Sequence, residues 1–116
     1  MSTTVTIYHN PRCSKSRAAL ALLEEHGVTP QVVEYLKTPP DAATLRHLLA
    51  MIGITARELA RTGEAEFKEN FKDLEMTETQ WIAALVAHPV LIERPIVVAG
   101  NRAVVGRPPE KILEIL

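Results

Sequence analysis

The 116-residue chain has a single cysteine, Cys13, and its neighbours suit a nucleophilic thiol. It follows a β-branched and aromatic run, Val5-Thr6-Ile7-Tyr8, and a turn signal at Asn10-Pro11, and it precedes a stretch of helical period. At the mouth of a helix, the sulfur faces unsatisfied N–H groups and the positive end of the dipole, which favour thiolate over thiol. Arg12, Lys15, Arg17 and His9 add positive potential, and Ser16 stands where its hydroxyl is expected to hydrogen-bond the sulfur. A buried, inert cysteine is the alternative, because free cysteine is among the most buried residue types. Basic and polar neighbours on both sides argue against it.

Spacing excludes two other cysteine chemistries. A phosphatase-type loop needs Cys-x5-Arg, and the residue six after Cys13 is Ala19. A dithiol oxidoreductase needs Cys-x-x-Cys, and here the run is Cys13-Ser14-Lys15-Ser16. The attacking thiol is present and a resolving one is not, so any redox cycle must draw its second thiol from outside.

Arg61, Arg94 and Arg107 form a second set. A guanidinium is planar, permanently charged and suited to two-pronged hydrogen bonding of tetrahedral oxyanions. The plainer alternatives are a helix C-terminus for Arg61 and surface ion pairs for the other two. The histidines, His9, His26, His47 and His88, include no pair at i, i+4 spacing, so a metal site has little support.

The elements that must position these residues follow from periodicity. Val5–Tyr8 reads as a strand, and 14–26 as a helix with Ala19, Leu20 and Leu23 on one face, Leu22 beside it, and Gly27 as its cap. Gln31–Tyr35 reads as a second strand, and strand-helix-strand in this order makes the two strands parallel. Asp41 is a candidate N-cap for a helix with Leu45, Leu48, Leu49 and Ile52 inward and Gly53 at its end. Thr55 with Glu58 is a capping box for a shorter helix running toward Arg61 and ending near Gly63. The charged stretch 64–75 fits helix or loop. Thr77 with Gln80 is a second capping box, opening a helix that buries Trp81, Ile82, Leu85 and Val86 and stops before Pro89.

After Pro95 the period returns to two, with Ile96–Ala99 and Ala103–Val105 joined by a tight turn at Gly100-Asn101. Pro108-Pro109 opens a last helix over 110–116, with Ile112, Leu113 and Leu116 inward. The sum is one α/β domain over 1–116, a four-stranded mixed sheet with a helical insertion at about 41–88 between βαβ and ββα halves. That is the order of a thioredoxin-like fold, which places a cis-proline beside its catalytic cysteine, and Arg94-Pro95 before a strand predicts such a bond.

Composition agrees with one soluble globular domain, at 47% hydrophobic and 23% charged residues. A net charge of −1 argues against coating of nucleic acid or anionic lipid, so neither partner is expected. No apolar run is long enough to span a bilayer, and Met1-Ser2-Thr3-Thr4 carries no export signal. A cytoplasmic monomer is expected.

The run from Ile7 to Arg17, with Tyr35-Leu36-Lys37-Thr38-Pro39-Pro40, Glu93-Arg94-Pro95-Ile96-Val97-Val98 and Gly106-Arg107-Pro108-Pro109-Glu110, resembles the glutaredoxin-dependent arsenate reductase (ArsC) family. The likeness covers essentially the whole chain and keeps motif order. It implies that Cys13 attacks arsenate to form a thiol–arsenate adduct, that Arg61, Arg94 and Arg107 hold the oxyanion, and that His9 lowers the cysteine pKa. Glutathione would then attack the adduct, glutaredoxin would remove the glutathione, and arsenite would leave. No cofactor is bound in such a cycle.

Two departures point to the shorter, chromosomal arsenate-reductase-like branch. The chain ends at Leu116, soon after its last motif, and carries Ser14-Lys15 where resistance enzymes have Gly-Thr. Two alternatives stay open: a monothiol oxidoreductase acting on glutathione mixed disulfides, and a redox-related regulator that binds RNA polymerase.

Overall fold

The computed structural model describes residues 4–116. Met1, Ser2 and Thr3, read above as lacking an export signal, lie outside the described residues. The chain divides into two compact units, one running through Thr38 and resuming at Arg94, the other spanning Pro39–Glu93.

The first unit holds β1 (Val5–His9), α1 (Ser14–Glu25), β2 (Gln31–Glu34), β3 (Ile96–Ala99) and β4 (Arg102–Val105), then a 3-10 segment over Pro109–Ile115. The sheet order is β2-β1-β3-β4. β1 runs parallel to β2 with Ile7 opposite Val32, and antiparallel to β3 with Ile7 opposite Val97. β3 and β4 form the predicted hairpin, with Val97 opposite Val104. This is the mixed four-stranded α/β sheet that the periodicity predicts.

Alternation along β1 buries Val5, Ile7 and His9 on one face. There Val5, Ile7, Val97 and Ala99 pack with Ala19 and Leu23 of α1 and with Ile112. Gly27 takes a positive φ of 74°, which ends α1 at little steric cost. The last segment differs from expectation. It winds as a 3-10 helix, and three residues per turn align Ile112 with Ile115 on the packed side while Leu113 and Leu116 turn outward.

The second unit is helical: α2 (Ala42–Ile52), α3 (Ala56–Leu59), α4 (Ala65–Asn70), α5 (Glu78–Ala87) and a 3-10 turn over Pro89–Leu91. The three expected N-terminal signals all form. Asp41 Oδ1 accepts from Thr44 N–H, and both the Thr55–Glu58 and Thr77–Gln80 boxes close in both directions. Helix α3 stops at Leu59, earlier than the sequence suggests, because Ala60 turns extended and bridges Ile92. The ambiguous 64–75 stretch is the short helix α4 followed by a turn. On α5, Ala84 is buried beside Trp81, Ile82 and Leu85, and Val86 is half-buried. Phe67 stacks on Trp81 at 5.9 Å, and the Arg57 guanidinium lies over both rings. Among the described residues, no helix is long and apolar enough to cross a membrane.

Candidate active site

The Asn10–Cys13 turn is built locally. Cys13 N–H donates to Asn10 O at 3.0 Å, and Arg12 N–H donates to Asn10 Oδ1 at 3.0 Å, the bond an Asx turn requires. Arg17 reaches back from α1 to donate to Pro11 O at 2.9 Å. Cys13 is the N-cap of α1, as the sequence suggests, and it is neither sealed nor fully exposed.

The thiol pKa is lowered. Partial burial works against ionisation, and it is outweighed by the first-turn N–H groups of Ser16 and Lys15 and by the Arg94 guanidinium, all of which favour the charged form. First-turn amides and one cation therefore favour the thiolate over the thiol. Arg94 responds in turn. Burial disfavours its charge, but the Tyr35 phenol oxygen and the Cys13 sulfur overcome this and raise its pKa.

The Ser16 hydroxyl does not do what the sequence suggests. Ser16 is fully buried, and its Oγ lies 2.6 Å from His9 Nδ1 while accepting from Asn10 N–H at 3.0 Å. The hydroxyl is committed to His9 and Asn10, and it is the Ser16 main-chain N–H that lowers the thiol pKa. The reason is the face of β1: His9 shares the inward side with Val5 and Ile7, so its ring points under the first turn of α1. His9 has a lowered pKa, caused first by burial and then by Arg17, with Glu34 opposing. A neutral ring with Nδ1 as acceptor suits a serine hydroxyl whose oxygen already accepts from Asn10; this tautomer is assigned from the hydrogen-bond network. His9 thus meets Ser16 in the first turn of α1.

Arg94 and Arg107 come together in the sheet unit. Arg107 Nη1 points at Arg94 O at 3.4 Å, a long contact, and both residues precede cis-prolines. The Arg94-Pro95 bond was anticipated; the one at Arg107-Pro108 was not. Gly106 permits the approach of this loop: its N–H donates to Pro95 O, and a Cβ there would come 3.1 Å from Pro95 Cγ. Arg61 belongs to the helical unit. Its Nε donates to Glu64 Oε1 at 3.2 Å and its Nη1 to Glu93 Oε1 at 2.9 Å. It lies two residues past α3, directly after the C-cap Ala60 and next to the Ala60–Ile92 bridge.

Two residues escaped the sequence reading. Tyr35 is 1% exposed and hydrogen-bonds the Arg94 guanidinium, yet as the last residue of a short strand pattern it was indistinguishable from a core aromatic. Asn10 carries the turn, and its only signal was the Asn-Pro pair. The assembled group is a thiol of lowered pKa beside a guanidinium, an arrangement that can attack an electrophilic oxyanion while neutralising its charge.

The ArsC family model matches residues 8–115. The uncharacterized protein YfgD of Escherichia coli K12 is 57% identical over all of this chain and 99% of that protein. An arsenate reductase of Neisseria meningitidis Z2491 is 45% identical over 97% of each chain. The structure of an arsenate reductase from Vibrio cholerae superposes with a TM-score of 0.95, at 47% identity over 100% of both chains.

Proposed function

The chain belongs to the ArsC family, and from that premise we propose that it reduces arsenate to arsenite through a Cys13 thiol–arsenate adduct, with glutathione and glutaredoxin as external thiols. The observation that carries this reading is Cys13 at the N-terminus of α1, its thiol pKa lowered by the Ser16 and Lys15 amides and by Arg94.

In the first step the thiolate attacks arsenic, an As–S bond forms, an As–O bond breaks, and the oxygen leaves as water after protonation. Arsenate near neutral pH is anionic and repels a thiolate, so the reaction needs cations that offset both charges. Arg94 is the first such cation, and Arg107, with Nη1 toward the Arg94 carbonyl, is the second. Arg61 is proposed as the third. In the structure it pairs with Glu64 and Glu93 of its own unit. His9 and Ser16 position the first turn of α1.

Glutathione then displaces a hydroxyl from arsenic, making a second As–S bond and water. The glutaredoxin thiol attacks the glutathione sulfur, and the As–S pair returns to arsenic, reducing it from As(V) to As(III). Hydrolysis frees arsenite and Cys13. Two thiols lose two electrons and arsenic gains two, and the lack of a second cysteine in this chain suits that route.

The test is NADPH consumption in a mixture of the protein, arsenate, glutathione, glutaredoxin and glutathione reductase. Cys13→Ser should abolish arsenate-dependent turnover, and Arg94→Ala should lower it by on the order of 10²-fold, as loss of one donor does in comparable electrostatic sites. If wild type shows no arsenate-dependent turnover but does reduce glutathione mixed disulfides, the monothiol oxidoreductase reading replaces this one.

A further inference from the structure

Arg94 supplies the cation beside Cys13, and a side chain so rich in rotamers keeps its head in one place only where something holds it. The strand registers identify the holder. β1 pairs with β2 as far as His9 opposite Glu34, and with β3 from Tyr8 opposite Ile96. Continued past those pairs, the two registers bring Tyr35 and Arg94 to either side of Asn10, at the same end of the sheet. Two strand spacings, about 9.5 Å, separate such positions, a gap that a tyrosine and an arginine reaching toward each other bridge. There the Arg94 guanidinium donates to the Tyr35 phenol oxygen. Tyr35 is buried, and its hydroxyl oxygen and Arg94 Nε each show less than 1 Å² to solvent.

The kind of acceptor matters. A phenol oxygen is uncharged, so it orients a guanidinium and leaves the positive charge to act elsewhere. Arg61 is held differently: Glu64 and Glu93 pair with it through carboxylates, whose charge opposes its own. A contact closed to water is also electrostatically stronger than one on the surface, so it fixes the guanidinium more firmly.

We propose that Tyr35 is a positioning residue for the thiol: its buried phenol holds the Arg94 guanidinium, charge intact, where it stabilises the Cys13 thiolate. The proposal deepens the arsenate-reductase reading above and rests on it for the use to which the thiolate is put. Its test needs no arsenate, so the two can fail separately. In this role Tyr35 acts through Arg94 and has no bond of its own to make or break.

The readout is the pH midpoint of Cys13 alkylation by iodoacetamide, measured on the full chain. Tyr35→Phe keeps the ring and removes the oxygen. It should raise the midpoint and slow alkylation below that midpoint by about three- to tenfold, the size of one net hydrogen bond. In an Arg94→Ala background the same change should shift nothing further, because the group it positions is gone. A tyrosine that only fills space would move neither midpoint. An unmoved midpoint in Tyr35→Phe, or equal shifts in both backgrounds, would overturn the proposal. Should Tyr35→Phe fail to fold, wild type decides through the arginine Nε–Hε signals in ¹H–¹⁵N NMR. Rotation about the Arg94 Nε–Cζ bond should be slow beside that of the exposed Arg46, and equal rates would overturn the proposal.

Discussion

Replacing Ser16 with alanine separates two accounts of how this chain ionises its cysteine. If the hydroxyl bonded the sulfur, its loss would raise the thiol pKa. In the structure Oγ instead joins His9 Nδ1 at 2.6 Å and Asn10 N–H at 3.0 Å, and all three residues are buried: 0% exposed for Ser16, 6% for His9 and 7% for Asn10. Ser16→Ala therefore strands one acceptor and one donor away from water. Each such group costs about 1–3 kcal/mol, and alanine's better helix propensity returns only a few tenths. The net destabilisation is about 1.5–5.5 kcal/mol, which lowers Tm by roughly 6–22 °C in a chain of this size. The Ser16 N–H that reaches Cys13 is retained, so the pH midpoint of Cys13 alkylation by iodoacetamide should match that of wild type. Circular-dichroism melting and alkylation rates across pH measure the two quantities. A midpoint displaced upward with an unchanged Tm would refute this assignment of the hydroxyl.

Arg94→Ala should do the reverse at the sulfur. With the guanidinium hydrogen bond and charge gone, the alkylation midpoint rises and the rate at neutral pH falls; an unmoved midpoint would leave the helix amides as the whole cause. His9 makes stability pH-dependent. Its folded pKa lies below the usual 6.5, so the unfolded chain binds a proton that the folded chain refuses. Stability is thus complete above about 6.5 and is lost as pH falls through the folded pKa. Urea midpoints at pH 7.5 and 5.5 should converge in His9→Gln, and a slope equal to that of wild type would exclude His9 as the source. Gly106→Ala should cost about 1–3 kcal/mol in urea denaturation, because the new Cβ comes 3.1 Å from Pro95 Cγ and 3.2 Å from Ile112 Cγ2. Unaltered stability would show that the loop can shift at no cost.

Features that depend on near neighbours were legible in the chain. The period of two in Val5–His9 and Ile96–Ala99, the capping boxes at Thr55 and Thr77, and the position of Cys13 as an N-cap each follow from residues within four places. The C-terminal segment was misread because its few apolar residues fit a 3.6 repeat as well as a 3.0 repeat, and only the latter leaves both Leu113 and Leu116 outward.

By itself the sequence determined the order of strands and helices, the single thiol, and the supply of amides and cations around it, because backbone periodicity and capping are local. Only the tertiary structure decided which group meets which. The Ser16 hydroxyl went to His9 because β1 turns that ring inward under α1. Tyr35 met Arg94 across 59 positions of chain because the parallel and antiparallel pairings of β1 bring the ends of β2 and β3 to the same sheet. Arg61 met Glu93 because the Ala60–Ile92 bridge draws together segments 32 residues apart. A hydrogen bond or an ion pair is made with whatever partner the packed chain presents, and sequence distance does not constrain that choice.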